Sequence, residues 1–138
     1  MSRVSDSIDD VVTLINAASL SQTVTAARKN TVDYETDDAP TLTVNVLPRF
    51  RTAEFRSRND VVEIHTVDIV VRKKVANDTT AVDDLVTFVD ELADLLAGAA
   101  LSTAGAIVTG YSQEDYFDLA ALHENRIFLS ILTLTIRD

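Results

Sequence analysis

Apolar residues recur along the chain in two rhythms. Near the start, Ile8, Val11, Val12, Ile15 and Ala18 follow helical spacing. Ser7 stands three residues before Asp10, a variant of the capping box, and Asp9 and Asp10 fall where a helix N-terminus favours negative charge. A first helix is predicted from about Ser7, fading at Ser19–Ser21. A stronger stripe joins Leu85, Phe88, Val89, Leu92, Leu95 and Leu96, with Asp83, Asp84, Asp90, Glu91 and Asp94 on most of the other face. Asp78, Thr79 or Thr80 can cap this second helix, and Gly98 suits the left-handed position after its end. At about 1.5–3 kcal/mol for each buried side chain, the stripe carries roughly 10 kcal/mol or more of gross burial. It needs a large apolar partner, and a sheet is the candidate.

The two-residue rhythm supplies that sheet. Thr23–Val32 is rich in β-branched residues and predicts a strand, followed by a loop over Tyr34–Pro40. In Thr41–Leu47, Leu42, Val44 and Val46 take one face and Thr41, Thr43 and Asn45 the other. Pro48 lacks an N–H, so it ends this strand or lies at an edge. Val61–Val75 predicts a long strand that changes phase: Val62 and Ile64 share one parity, Val67, Ile69 and Val71 the other. A bulge near His65–Thr66, or a change of neighbours there, would account for the slip.

Ala106–Ser112 predicts a short strand, and Gln113–Glu124 either a short helix or an irregular cover built on Tyr116, Leu119, Ala120 and Leu122. Ile127–Arg137 has the clearest alternation. Phe128, Leu132, Leu134 and Ile136 line one face, with Ser130 as a small gap; Ile127, Leu129 and Ile131 line the other before Thr133 and Thr135. A strand apolar on both faces belongs in the middle of a sheet or under cover on both sides. The order α-β-β-β-α-β-(α)-β predicts one α+β domain over 1–138: an antiparallel, or mixed, sheet with an N-terminal helix and a central amphipathic helix packed on it.

Charge narrows the function. There are 12 Lys+Arg against 22 Asp+Glu, a formal charge of −10, which disfavours coating by nucleic acid or anionic lipid. The chain has no cysteine, so disulfides and thiolate metal sites are excluded. The opening Met1–Asp6 lacks a secretion signal, and Leu92–Leu101, interrupted by Asp94 and Gly98, is too short for a span of about 20 apolar residues. A cytoplasmic protein, or part of an assembly built there, is expected, with no membrane partner.

Motifs for chemistry are not found. His65 and His123 lack ligands at a metal spacing, and three glycines (Gly98, Gly105, Gly110) build no phosphate loop. The carboxylate pairs Asp9-Asp10, Asp37-Asp38, Asp83-Asp84 and Asp90-Glu91 read as solvated faces or a loop, and Asp37-Asp38 lacks the rest of a calcium loop. No catalytic residue, metal or cofactor is expected. The unusual stretch is Arg49–Asp60, where Arg49, Arg51, Arg56 and Arg58 interleave with Phe50 and Phe55. It predicts a long hairpin connection that protrudes. Arginine and aromatics mark protein interfaces, although a solvated loop would share the composition. The acids Asp83, Asp84, Asp90, Glu91 and Asp94 form a complementary face, so two copies would meet unlike surface to unlike surface in a heterologous contact.

In order and length, these elements resemble the tail-terminator (tail-completion) proteins of tailed bacteriophages. The resemblance runs over nearly the whole chain. It is carried by the helix Asp9-Val11-Val12-Leu14-Ile15-Asn16-Ala17, followed by Ser21–Arg28, and by the strand ending Val44-Asn45-Val46-Leu47-Pro48-Arg49. The strand into Val71-Arg72-Lys73-Lys74, the helix Val86-Phe88-Val89-Asp90-Glu91-Leu92-Ala93-Asp94 and the closing Phe128–Arg137 complete it. The resemblance implies a structural subunit that forms a six-membered ring on the tail tube. That ring would stop tube polymerisation and join the tail, through a head-proximal neck or connector protein, to the head. It would sit at the tail–neck junction of the virion after assembly in the host cytoplasm, with DNA passing its lumen without specific binding. Another neck component, such as a stopper or head-completion protein, would share the size and the lack of chemistry. A small acidic enzyme would need polar residues converging in a pocket.

Overall fold

The computed structural model describes residues 3–22, 26–28, 42–58, 60–75, 79–101, 105–119, 122 and 126–137. The elements are α1 (Arg3–Ala17), β1 (Ala26–Arg28), β2 (Thr43–Ser57), β3 (Asp60–Lys74), α2 (Thr79–Leu96), β4 (Ala100–Leu101), β5 (Ala106–Ser112) and β6 (Ile127–Arg137). The strands form one six-stranded sheet, ordered β1-β2-β3-β6-β5-β4 and curled into a half-barrel. β1 runs parallel to β2 and every other pair is antiparallel, so the α+β fold is of the mixed-sheet kind. The loop expected over Tyr34–Pro40 lies outside the described residues, as do most of the strand expected over Thr23–Val32, and Asp78 and His123.

Both helices contribute to one core with the same face of the sheet. Ile8, Val11 and Ile15 of α1, and Leu85, Phe88, Val89, Leu92 and Leu96 of α2, are buried with Val44, Val46, Val67, Ile69, Val71, Leu132, Leu134 and Ile136. Leu95, the remaining member of the α2 stripe, is partly buried against them. α2 ends as its sequence predicts, with Gly98 at φ 71°. α1 does not: it begins at Arg3, one turn before the expected cap. Ser7 lies on the same face as Val11 and Ile15, and this small side chain is drawn inward, 1% exposed, instead of capping.

Asn16 fastens α1 to the sheet. Its Oδ1 accepts from the Ala26 N–H at 2.7 Å and its Nδ2 donates to the Ala26 carbonyl at 3.3 Å, so the amide stands in for a neighbouring strand. Arg28 donates to the Ser5 hydroxyl at 2.9 Å and sits 3.5 Å from Asp9.

β2 corrects the expected connection at Arg49–Asp60. The strand passes through Pro48 and continues to Ser57, paired with β3 throughout. Among the described residues, β1 pairs with β2 at Val44–Val46 and stops short of Pro48, and a proline is tolerated where its strand has no ladder partner on one side. The phase slip expected near His65–Thr66 is an extra residue on the facing strand. Pro48 pairs with Val67 and Phe50 with Thr66, so Arg49 bulges while the β3–β6 register runs unbroken.

β3 and β6 are the central strands. β5 pairs with β6 only from Ser112↔Thr133 to Ile107↔Arg137. Residues 113–118 run on beside the stretch of β6 that β5 leaves bare, with the Asp118 N–H bonded to the Leu129 carbonyl at 2.8 Å. This stretch is irregular cover, and a helical turn follows it: Leu119 and Leu122 are helical and the Leu122 N–H bonds to the Asp118 carbonyl at 3.1 Å, so each alternative describes part of the segment. Phe117 turns inward against Phe128, whereas Tyr116 and Leu119 face solvent. Ala120 lies outside the described residues.

Candidate assembly surface

The arginine-rich stretch is a built arm. β6 accompanies β3 only as far as Ile64↔Arg137, so the ladder from Thr52↔Ile64 to Ser57↔Asp60 runs on beyond the rest of the sheet as two strands. Arg51, Ala53, Phe55 and Val61 share one face by register, and all are exposed; Phe55 is 77% exposed. The other face holds Val62, which is buried, and Phe50, which is 54% exposed. At the root, His65 is buried with Nε2 3.5 Å from a Glu63 oxygen.

Arg49 anchors the arm. Its Nη1 donates to the Thr133 hydroxyl at 3.2 Å, and that hydroxyl donates to Asp68 Oδ1 at 2.7 Å. The guanidinium is 3.6 Å from the same carboxylate and lies 6.0 Å from the Phe50 ring centroid. Of the six residues proposed from sequence for the interface, Arg49 is thus engaged with the body of the fold. Phe50, Arg51, Phe55 and Arg58 are at the surface. Arg56 is the extra residue of a second register shift, between Phe55 and Ser57.

The acidic face divides in the same way. Glu91 is half-buried, and its carboxylate accepts from the Ser21 N–H at 3.1 and 3.3 Å and from the Ser21 hydroxyl, tying α2 to the turn after α1. Asp83 and Asp84 are exposed near the start of α2. Asp90 and Asp94 lie further along and border an open groove of about 540 Å³ with Tyr111, Glu114 and Tyr116.

Two local features shape this groove. Val108 pairs with Ile136 and Gly110 with Thr135, so Thr109 is an extra residue and Tyr111, opposite Leu134, comes to the helix side. Gln113 then fixes the turn: its amide donates to the Tyr116 carbonyl at 3.3 Å and to the Ser130 hydroxyl, filling the gap that Ser130 leaves in β6. Beyond this turn a second open groove, about 770 Å³, runs between Arg49, Asp68 and Thr133 and the acids Glu114, Asp115 and Asp118. Among the described residues, no three of His, Asp and Glu gather as a metal site, and no helix is long and apolar enough to cross a membrane.

No family model matches the chain and no curated protein matches it, so the surface is read from its own residues. Sequence reasoning missed Tyr111, Tyr116 and Glu114 as a group. The available signal was two tyrosines flanking the polar run Ser112–Asp115, where a folded core would supply apolar residues.

Proposed function

We propose that the chain is a structural virion-assembly subunit of a tailed bacteriophage, acting as a tail terminator. Copies join into a ring, six-membered on the plan that the resemblance implies. The ring caps the tail tube, stops its polymerisation and connects it to the head-proximal neck. The observation that best supports this reading is the arm. A two-stranded extension tied down by Arg49, Asp68 and Thr133 carries Phe55 at 77% exposure beside arginine, a composition suited to an interface core. An isolated subunit gains nothing from holding such a ring in water, whereas a neighbour that covers it gains its full burial.

In such a ring the −10 charge of each subunit keeps DNA sliding through the lumen rather than adhering, because like charge prevents counterion-releasing contacts. Electron microscopy of the purified protein, alone and mixed with tail tubes, tests the proposal. A six-fold annulus seated on one end of each tube is expected. Solitary subunits that leave tube growth unchanged overturn it, and a ring that binds the neck but no tube reassigns the chain to another neck component.

A further inference from the structure

We infer that the groove between α2 and the turn at residues 113–116 receives the arm of a second copy of this chain. The assignment deepens the ring reading and rests on it. The groove is aromatic and anionic: Tyr111 and Tyr116 are exposed, and Asp90, Asp94 and Glu114 surround them. None of these three carboxylates makes a salt bridge to a described residue. The arm carries Phe55 on the same face as Arg51, with Arg58 exposed near its tip, and these arginines are interspersed with the acids Glu54, Asp60 and Glu63. Phenyl against phenol rings, and guanidinium groups against carboxylates and ring faces, are the pairings the two surfaces offer each other.

Placement supports the match. In the order β1-β2-β3-β6-β5-β4, the arm grows from β2 and β3 on one flank, while the groove forms beside β5 on the other. A contact between opposite flanks is head-to-tail, the kind that closes into rings when its rotation permits. The pairing also changes the acidic partner expected from sequence. Asp90 and Asp94 remain, Glu91 is committed to Ser21, and Glu114 and the tyrosines join.

The chain has no cysteine, so paired cysteines give a clean test. Phe55→Cys with Tyr116→Cys in one chain is expected to give an oxidised ladder of covalent oligomers up to the full ring, with neither single variant doing so. In parallel, Asp94→Arg or Arg51→Glu alone is expected to weaken assembly roughly ten-fold or more, about 1.4 kcal/mol per factor of ten, and the two together to recover part of the loss. All four positions are exposed, and unchanged circular dichroism shows that the variants fold. Rings that form normally, give no ladder and ignore both charge reversals overturn this assignment and leave the ring reading standing. A wild-type protein that stays monomeric at every concentration overturns the ring reading as well. An arm cysteine that cross-links to tube protein and not to Tyr116→Cys hands the arm to the tube and refutes the groove.

Discussion

The β2–β3 ladder is used in two opposite ways along its length. From Thr43 to Pro48 it lies under α1 and beside β1, and Val44, Val46, Ile69 and Val71 are fully buried. From Arg51 to Ser57 the same two strands keep their pairing, yet β2 is exposed from Arg51 to Phe55 and at Ser57. Hydrogen bonding does not distinguish the halves. What differs is the third layer, because the helices and β6 stop where the arm begins. Strand formation and core formation are therefore separable in this chain, and a side chain's contribution depends on what lies over it.

Substitutions at three depths sharpen the contrast. The largest effect belongs to the covered side. Phe88→Ala in α2 is expected to cost about 3–5 kcal/mol, read as a drop in the urea midpoint, because the ring is wholly buried and its cavity cannot fill. At the junction, Thr133→Val keeps the shape but breaks the relay from Arg49 to Asp68. A loss of about 1 kcal/mol is expected, with faster amide exchange over residues 50–56 and little change in α2. The smallest effect belongs to the tip. Phe55→Ala is expected to leave subunit stability within about 0.5 kcal/mol, measured below the concentration of assembly. The same substitution should weaken self-association, and a variant that unfolds the subunit instead would abolish the distinction between the halves.

The covered half was the legible one. β5 and β6 match the alternating runs Ala106–Ser112 and Ile127–Arg137, and α2 matches its stripe, because burial on one face imposes a period. The arm has no such constraint. With both Arg49–Ser57 and its surroundings lacking a continuous cover, apolar and charged residues mix, and a regular strand reads as a connection. β1 and β4, at three and two residues, are too short for any rhythm to register. α1 began one turn early because a serine small enough to be buried does not cap.

The candidate surface was half legible for related reasons. Composition marked Arg51, Phe55 and Arg58, but not that Arg49 would reach back to Thr133, which lies far along the chain. Nor could spacing place Tyr111, since the extra residue Thr109 reverses the side that simple alternation assigns. Long-range pairs and bulges are set by the assembled sheet, and a local pattern does not contain them.

The bulge at Arg49 has a consequence for how such a chain can diversify. Past that residue β2 changes parity while β3 keeps its own, and the finger lies beyond the end of β6, so lengthening or shortening it in matched steps at its tip leaves the hydrophobic interior untouched. The grip on a neighbour is carried by a part of the polypeptide that can be rewritten while the rest folds as before. Partner choice and foldability can then drift at separate rates.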